Sequence, residues 1–267
     1  MNVLEKILAS KRVEIDALQR RLPPTPASSA PPRAPHSAVR ALSRGEGAPL
    51  RLIAEVKFRS PSAGDLSTRL GPAERAIAYA ASGATMVSVL TDAPFFAGSF
   101  EHLAAARAVL DRRGLSVPLL CKDFVLDESQ IAAARASGAD AVLLIARIVS
   151  SARLAELVRE ARARGVEPLV EIANEDELGA ALATDARLVG VNARDLDTLE
   201  MDGERAARVA ARIPGDRVAI HLSGVRTDDD VREIARGRCD AALVGEILMR
   251  QDDPGPLLAS FARAALV

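Results

Sequence analysis

The sequence has few residues of the types that bind metals or form disulfides. Its two cysteines, Cys121 and Cys239, have neither metal spacing nor the density of a secreted disulfide scaffold, which favours a reducing cytoplasm. Its three histidines, His36, His102 and His221, lie far apart and lack the spacing of metal ligands. The sequence therefore offers no cluster that would bind a metal.

An excess of charge of one sign is also missing, as are long apolar runs. Lysine and arginine number 35 against 36 aspartates and glutamates, so bulk charge indicates no nucleic-acid or membrane-surface partner. Nothing approaches a membrane-spanning length of uncharged residues. Charged residues such as Glu5, Lys6 and Lys11 interrupt the N-terminus, where a signal peptide would need an apolar run. We therefore expect a soluble, cytoplasmic protein.

Apolar residues are plentiful, at 49% of the chain, which is enough for a large core. In residues 1–21 they recur at helical spacing with charges between them, which predicts an amphipathic N-terminal helix. Residues 22–50 contain the proline-rich stretch LPPTPASSAPPRAPHSAV, which predicts an extended connector. A chain of 267 residues could hold two domains, but α/β barrels of this length are commonly one, and we expect a single domain.

Over residues 51–267, short apolar runs alternate with helical patterns. The runs are LIAEVK, ATMVSVL, PLLCKD, DAVLLIA, EPLVEIA, RLVGVNA, RVAIHLS and DAALVGE. Strict alternation implies parallel strands with right-handed crossovers. Eight such units favour a closed (β/α)8 TIM barrel, although an open sheet would give a similar string. The absence of GxGxxG after the first run disfavours a dinucleotide-binding sheet.

Polar residues occupy the ends of these candidate strands, where barrel enzymes gather their catalytic groups. Glu55 and Lys57 are two residues apart, so their side chains should point to one face. An unpaired charge inside a strand is costly, which predicts that Glu55 is paired or functional. Other strand ends carry Lys122 and Asp123; Glu171; Asn192, Arg194 and Asp195; and Ser223.

Two glycines follow the last two candidate strands. Gly224 lies in LSGVR and Gly245 in LVGEILM. In barrels the loops after strands seven and eight often bind phosphate through backbone N–H groups, and glycine permits the close approach. The pair predicts a phosphate site.

Several stretches resemble the indole-3-glycerol phosphate synthase family. They are IAEVKFRSPSAG, SVLTDAPFFAGSFEHL, PLLCKDFVLDESQI, GADAVLLIARIV, EPLVEI, VGVNARDLDTLEMD and LVGEILMRQDDPG, in family order, and VLEKILASKRVEI resembles the family's extra N-terminal helix beside the active site. The resemblance implies a (β/α)8 barrel with an N-terminal helical extension. It also implies a carboxy-lyase of tryptophan biosynthesis that works without a cofactor. Its reaction would be ring closure, decarboxylation and dehydration of the substrate, 1-(2-carboxyphenylamino)-1-deoxyribulose 5-phosphate.

The resemblance assigns catalytic roles as well. Lys122 would be the general acid that protonates the substrate's carbonyl oxygen, and Glu171 the general base of the later steps. Lys57, paired with Glu55, would hold or protonate the substrate, and Asn192 would orient it.

The remaining family positions would bind substrate. The phosphate would be bound by Ser60, Ser223, Gly224, Gly245 and Glu246. The aromatic ring would be lined by Phe96, Phe124, Leu143, Ile145, Leu196 and Leu199, and Arg194 would also contact the substrate.

The sequence departs from the family at a few positions. Leu222 stands where the family usually has a carboxylate, and Ala173 where a polar residue commonly follows the strand-five glutamate. The N-terminal helix lacks the aromatic residue that some relatives use; the chain has no tryptophan and a single tyrosine, Tyr79. Three alternatives stay open: another phosphosugar isomerase, an aldolase forming a Schiff base through a lysine, and a barrel that binds its ligand or docks another tryptophan-pathway enzyme without turnover.

Four further features have structural interpretations. Alternation should point Cys121 toward the helices, and His221 toward the face of Ser223 unless a bulge before Gly224 reverses it. We expect His221 to be a hydrogen-bonded packing residue. Phe95 and Phe96 lie in a predicted loop, as core or as a substrate lid. The acidic run DDD after Thr227 should begin a helix.

Overall fold

The computed structural model describes residues 2–21, 37–195 and 197–266. The proline-rich part of the predicted connector, residues 22–36, lies outside these ranges, as does Leu196. Residues 38–42 of the same predicted segment form a short helix, which Ser37 caps by accepting the N–H of Arg40 at 3.2 Å.

The helices and strands alternate through the described chain. The helices are α1 (Val3–Arg21), α2 (Ala38–Leu42), α3 (Pro72–Ala81), α4 (Ala93–Phe96), α5 (Phe100–Arg112), α6 (Glu128–Ala136), α7 (Ser151–Ala163), α8 (Glu175–Leu182), α9 (Gly203–Ala210), α10 (Asp228–Arg236), α11 (Glu246–Met249) and α12 (Gly255–Ala264). The strands are β1 (Arg51–Val56), β2 (Arg59–Ser60), β3 (Gly64–Asp65), β4 (Met86–Leu90), β5 (Leu119–Lys122), β6 (Ala141–Ile145), β7 (Glu167–Ile172), β8 (Leu188–Val191), β9 (Val218–His221) and β10 (Ala241–Val244), and a 3-10 turn covers Ala146–Ile148.

Within residues 37–195 and 197–266, eight parallel strands close into a barrel in the order β1, β4, β5, β6, β7, β8, β9 and β10, and β10 pairs with β1. Each barrel strand coincides with one of the eight apolar runs, β1 starting one residue before its run, so the (β/α)8 prediction is confirmed. The open-sheet alternative is wrong because the first and last strands are hydrogen-bonded to each other.

A two-stranded hairpin of β2 and β3 follows β1 and was not predicted. Gly64 takes a positive φ of 69°, and Arg59 Nε lies 2.6 Å from Asp65 Oδ1 across the hairpin. The Ser60-Pro61-Ser62 stretch therefore turns the chain back over the end of the barrel rather than simply ending the strand.

Alternation along the strands divides the core into two layers. Residues such as Ile53, Leu120 and Ile220 fill the barrel interior together with Leu4 and Ile7 of α1. Cys121 belongs to the layer between strands and helices, as alternation predicts, and burial raises the pKa of its thiol.

The acidic run begins α10, as predicted. Thr227 Oγ1 accepts the N–H of Asp230, and Asp230 Oδ2 accepts the N–H of Thr227 at 2.8 Å, which forms a capping box. None of the helices in residues 2–21, 37–195 and 197–266 is long and apolar enough to cross a membrane.

Candidate active site

A cavity of about 360 Å³ opens at the carboxyl-terminal mouth of the barrel. It brings together the predicted catalytic set, Glu55, Lys57, Lys122, Glu171 and Asn192. It is also lined by the predicted binding residues Ser60, Phe96, Phe124, Leu143, Ile145, Arg194, Leu199, Ser223, Gly224, Gly245 and Glu246. Leu196 lies outside the described residues. Residues from all eight barrel strands and their loops thus converge on one volume because the strand ends meet there.

Glu55 and Lys57 form an ion pair at the end of β1. Lys57 Nζ lies 2.8 Å from Glu55 Oε1, and the Glu55 side chain is 2% exposed. The backbone carbonyl of Glu55 also accepts the hydroxyl of buried Tyr79 at 3.2 Å, and burial raises the pKa of that hydroxyl to about 12. The predicted pair is therefore present and is fixed from the helix side of the strand.

Gly245, which follows β10, leaves the space that Glu55 occupies. A Cβ at Gly245 would lie 2.5 Å from Glu55 Oε1, closer than two such atoms approach. Glycine is required here for close approach, since its φ of −123° is accessible to any residue.

Replacing Gly245 with alanine should displace Glu55 and separate it from Lys57. We expect kcat/KM to fall by about tenfold to a hundredfold, because small displacements of positioned groups are costly. We also expect unfolding in urea to show a loss of about 1–3 kcal/mol from overpacking. The matched control is Gly215→Ala, where nothing lies within 4 Å of the added Cβ. Wild-type kcat/KM in Gly245→Ala would contradict the requirement.

Lys122, Glu171 and Asn192 form the second polar group, from the ends of β5, β7 and β8. Lys122 Nζ lies 3.6 Å from Glu171 Oε2, and Asn192 Nδ2 donates to Glu171 Oε1 at 2.9 Å. Asn192 Oδ1 in turn accepts the Ser223 hydroxyl at 2.7 Å and the backbone N–H of Arg194 at 3.0 Å. The amide of Asn192 is thereby fixed, and it fixes one oxygen of Glu171.

The other oxygen of Glu171 faces the lysine without a hydrogen bond. Oε2 is buried, and no described residue donates a hydrogen bond to it. A buried carboxylate oxygen beside an ammonium group, with its partner oxygen already held, can accept a proton from a substrate placed between the two.

The predicted phosphate site lies at the β1, β9 and β10 side of the cavity. Gly224 has a positive φ of 95°, which favours glycine there and turns the chain after β9. Ser60 is 5% exposed, and its hydroxyl accepts the N–H of Ala63 at 3.1 Å. Hydroxyl and backbone N–H groups are suited to phosphate oxygens.

Two arginines of this region were missed in the sequence. Arg226 and Arg250 also line the cavity, and Arg250 Nη2 lies 2.8 Å from Glu246 Oε1. The Arg250 guanidinium thus offsets the charge that the Glu246 carboxylate would otherwise place near a phosphate. For Arg250 the available signal was its position four residues after Glu246, on the helix that follows the last strand.

An apolar slot, formed by Phe96, Phe124, Leu143, Ile145 and Leu199, occupies another part of the cavity wall. The rings of Phe96 and Phe124 have centroids 5.9 Å apart and planes inclined by 35°. Their spacing suits the offset packing of aromatic groups. A planar ring can therefore be bound here.

The loop predicted for Phe95 and Phe96 is wrong. Both lie on α4, which begins because Asp92 Oδ1 accepts the N–H of Phe95 at 2.9 Å and Pro94 occupies the first turn. Phe96 lines the cavity, whereas Phe95 packs against the interior core without lining it.

His221 does not share the face of Ser223, which is the exception that the sequence allowed for before Gly224. Ile220 and Leu222 both belong to the barrel interior, so His221 points outward, and burial lowers the pKa of its imidazole while Asp230 and Glu233 oppose that shift. Strict alternation fails beyond it because β9 ends at His221 and the chain turns at Gly224.

Leu222 lines the cavity and belongs to the apolar interior of the barrel. Its side chain packs over Gly190, where an added Cβ would lie 2.4 Å from Leu222 Cδ1. Ala173 is buried, and its N–H donates to Glu177 Oε2 at 2.7 Å. At both departures from the family pattern the chain presents an apolar side chain.

The N-terminal helix forms part of the cavity as well. Val3, Leu4 and Ile7 of α1 line it, although the sequence pattern assigned them only to the apolar face of the N-terminal helix. Lys11 follows on the same helical face and is fully buried. A lysine in register with Leu4, Ile7 and Ile15 was the signal that an ion pair lay beneath the helix.

Comparison with known proteins gives a consistent result. A family model described as indole-3-glycerol phosphate synthase matches residues 4–260. The chain is similar to indole-3-glycerol phosphate synthase of Rhodopirellula baltica, with 46% identity over 76% of this chain and 77% of that one. It is also similar to the protein of the same name from Arthrobacter sp. strain FB24, with 41% identity over 99% of this chain and 97% of that one.

Among solved structures, 3-hexulose-6-phosphate synthase from Salmonella typhimurium aligns with a TM-score of 0.60. The alignment covers 81% of this chain and 99% of that one at 12% identity, so it supports the barrel fold alone.

Proposed function

Because the chain belongs to the indole-3-glycerol phosphate synthase family, we propose that Lys122 and Glu171 carry out the acid–base chemistry of its reaction. The protein is a carboxy-lyase of tryptophan biosynthesis that acts on a phosphorylated small molecule. The single observation that carries the proposal is the 3.6 Å approach of Lys122 Nζ to a Glu171 oxygen that has no other described donor.

In the proposed binding mode the substrate spans the cavity. Its carboxyphenyl ring enters the apolar slot, and its phosphate binds the hydroxyl and N–H groups at Ser60, Ser223, Gly224 and Gly245. In this orientation the reacting ring carbon and the carbonyl group lie near the two lysines, both of which line the same cavity.

The first chemical step forms a carbon–carbon bond. The ring carbon that bears the carboxylate attacks the carbonyl carbon, and Lys122 transfers a proton to the carbonyl oxygen, which becomes a hydroxyl group. Lys57, held at 2.8 Å by Glu55, holds the polar groups of the substrate. Breaking the bond to the carboxylate then releases carbon dioxide and returns its electron pair to the ring.

The last step is dehydration. Glu171 removes the proton from carbon, the hydroxyl group leaves as water, and that oxygen takes its proton from one of the two mouth lysines. Asn192 serves this step by holding one Glu171 oxygen at 2.9 Å, so that the other faces the substrate.

The apolar Leu222 is compatible with this scheme. The proposed acid and base lie on β5 and β7, and neither is hydrogen-bonded to residue 222. We propose that the enzyme turns over with leucine at this position, and that no cofactor takes part.

Because the chain belongs to the indole-3-glycerol phosphate synthase family, the isomerase and aldolase alternatives are no longer needed. We further propose a cytoplasmic enzyme, which agrees with the two buried, free cysteines. We propose that it binds its small-molecule substrate and neither nucleic acid nor a membrane. Association with other tryptophan-pathway enzymes stays a prediction.

A direct assay tests activity. Purified protein is mixed with the carboxyphenylamino-deoxyribulose phosphate, and indole fluorescence is followed together with substrate binding. We expect a steady rise in fluorescence that depends on enzyme concentration. Tight binding with no rise would contradict the proposal and support the ligand-binding alternative, with Leu222 as its cause.

A further inference from the structure

A buried lysine joins the N-terminal helix to the barrel. The Lys11 side chain on α1 is 0% exposed, and its ammonium group lies 2.7 Å from Asp123 Oδ1, 3.1 Å from Asp92 Oδ2 and 2.8 Å from Glu14 Oε2. Asp92 and Asp123 are themselves buried. One cation thus connects a helix at the start of the chain to two loops of the barrel.

The two barrel carboxylates hold the loops after neighbouring strands. Asp92 follows β4 and caps α4, the helix that carries Phe96. Asp123 directly follows Lys122, accepts the Thr91 hydroxyl at 2.5 Å, and accepts the N–H of Phe124 at 2.7 Å. Lys11 therefore contacts the residues that position both phenylalanines of the apolar slot, and one of those residues, Asp123, is next to the proposed acid in the chain.

Helix α1 also forms part of the cavity wall. Ile7 lies one helical turn before Lys11 on the same face and lines the cavity with Leu4. A shift of the Lys11 ammonium would therefore move these apolar side chains with the helix.

The lysine is charged in the folded protein. Burial by itself would lower the pKa of the Lys11 ammonium, but the carboxylates of Asp123 and Asp92 more than offset it and hold that pKa above its ordinary value. A buried ion pair contributes little net stability compared with apolar packing, but its geometry can specify one arrangement. An apolar residue at position 11 would let α1 pack on the barrel, but it would not fix one arrangement of the helix against the two loops.

We propose that Lys11 is a positioning residue for the reaction: through Asp92 and Asp123 it fixes the mutual placement of α1, α4 and the Lys122–Phe124 segment. Its role is to shape the part of the cavity that takes the substrate's aromatic ring. The inference rests on the proposed binding mode, in which the ring and the phosphate occupy different parts of the cavity.

The test separates the two halves of the ligand. Lys11→Met keeps an unbranched side chain as far as Cε but removes the ammonium group. We expect its kcat/KM to fall by about a hundredfold, because a binding group is displaced. Competitive inhibition by N-methylanthranilate, a ring-half probe, should weaken, whereas inhibition by glycerol 3-phosphate, a phosphate-half probe, should match the wild type. Lys11→Arg should recover part of the loss. Gln19→Ala removes the 3.2 Å contact of the same helix with Asp127 and should behave as wild type.

A purely structural role would give a different pattern. Lower thermal stability with unchanged inhibition constants, or equal weakening of both probes, would overturn the proposal. If Lys11→Met does not fold, Lys11→Met/Asp123→Asn relieves the uncompensated buried charge. Selective loss of ring-probe affinity is again expected, and wild-type affinity for that probe would overturn the proposal. Failure of the proposed function is distinguishable, because it would appear in the wild type as no conversion or as probes that do not compete with substrate.

Discussion

Replacing Lys122 with methionine should lower kcat by about 10²–10⁴-fold, the range typical for removal of a general acid. The variant keeps the length of the side chain and its packing at the end of β5, but it cannot protonate the carbonyl oxygen as the ring closes. We expect KM to change much less, because the proposed phosphate site and apolar slot contain none of the atoms removed. Steady-state indole fluorescence measures both constants.

The matched control is Lys6→Met, which removes the charge of an exposed lysine on α1. Its kcat should equal that of the wild type. A Lys122→Met enzyme that retained more than about a tenth of wild-type kcat would contradict the assignment of Lys122 as the acid, since a general acid typically contributes about 10²–10⁴-fold.

Replacing Glu171 with glutamine should have a comparable effect on kcat, about 10²–10⁴-fold, for a different reason. Glutamine can still accept the Asn192 Nδ2 hydrogen bond with its oxygen, so the local geometry is preserved. Its amide NH2 group then takes the place of Glu171 Oε2, the oxygen that lies 3.6 Å from Lys122 Nζ in the wild type. Removal of the proton from carbon then has no base.

Glu156→Gln is the control for this substitution. Glu156 lies on the exposed face of α7, where its carboxylate pairs with Arg153 at 3.0 Å. A surface pair of this kind contributes little, so kcat and stability should be unchanged. Product binding to Glu171→Gln should also be near normal, and its loss would indicate a folding defect instead of a missing base.

The parts of the site that could be predicted are those that depend on strand periodicity. Glu55 and Lys57 share a face because they are two residues apart on one strand, and the 2.8 Å ion pair follows from that. Lys122 and Glu171 come together because both end parallel strands of one barrel, a consequence of the eight-fold alternation.

Sequence reasoning failed where the backbone leaves the regular elements. Strict alternation alone placed His221 on the face of Ser223, and only the exception allowed before Gly224 gave the right face, because the strand ends at His221. The short helix with Phe96 was missed, although Asp92 as a cap and Pro94 in the first turn were visible signals. Short elements of this kind depend on a single cap.

The partners of Lys11 could not be found from the sequence at all. Asp92 and Asp123 are distant in the chain and reach the lysine only because α1 lies across the closed barrel. Periodicity shows that position 11 is on a buried face, but it does not show which carboxylates lie beneath it.

The division of labour between Lys122 and Glu171 is the central claim, and a single-turnover measurement tests it most directly. Enzyme in excess is mixed with substrate labelled in the carboxylate. Released carbon dioxide and the indole ring of the product are measured in the same quenched samples for the wild type, Lys122→Met and Glu171→Gln.

We predict that Lys122→Met delays both products equally, because ring closure precedes both. In Glu171→Gln carbon dioxide should appear before indole, since the base acts only in the dehydration that follows decarboxylation. Equal delay of carbon dioxide and indole in Glu171→Gln would contradict the account, because Glu171 would then be needed before the carboxylate leaves.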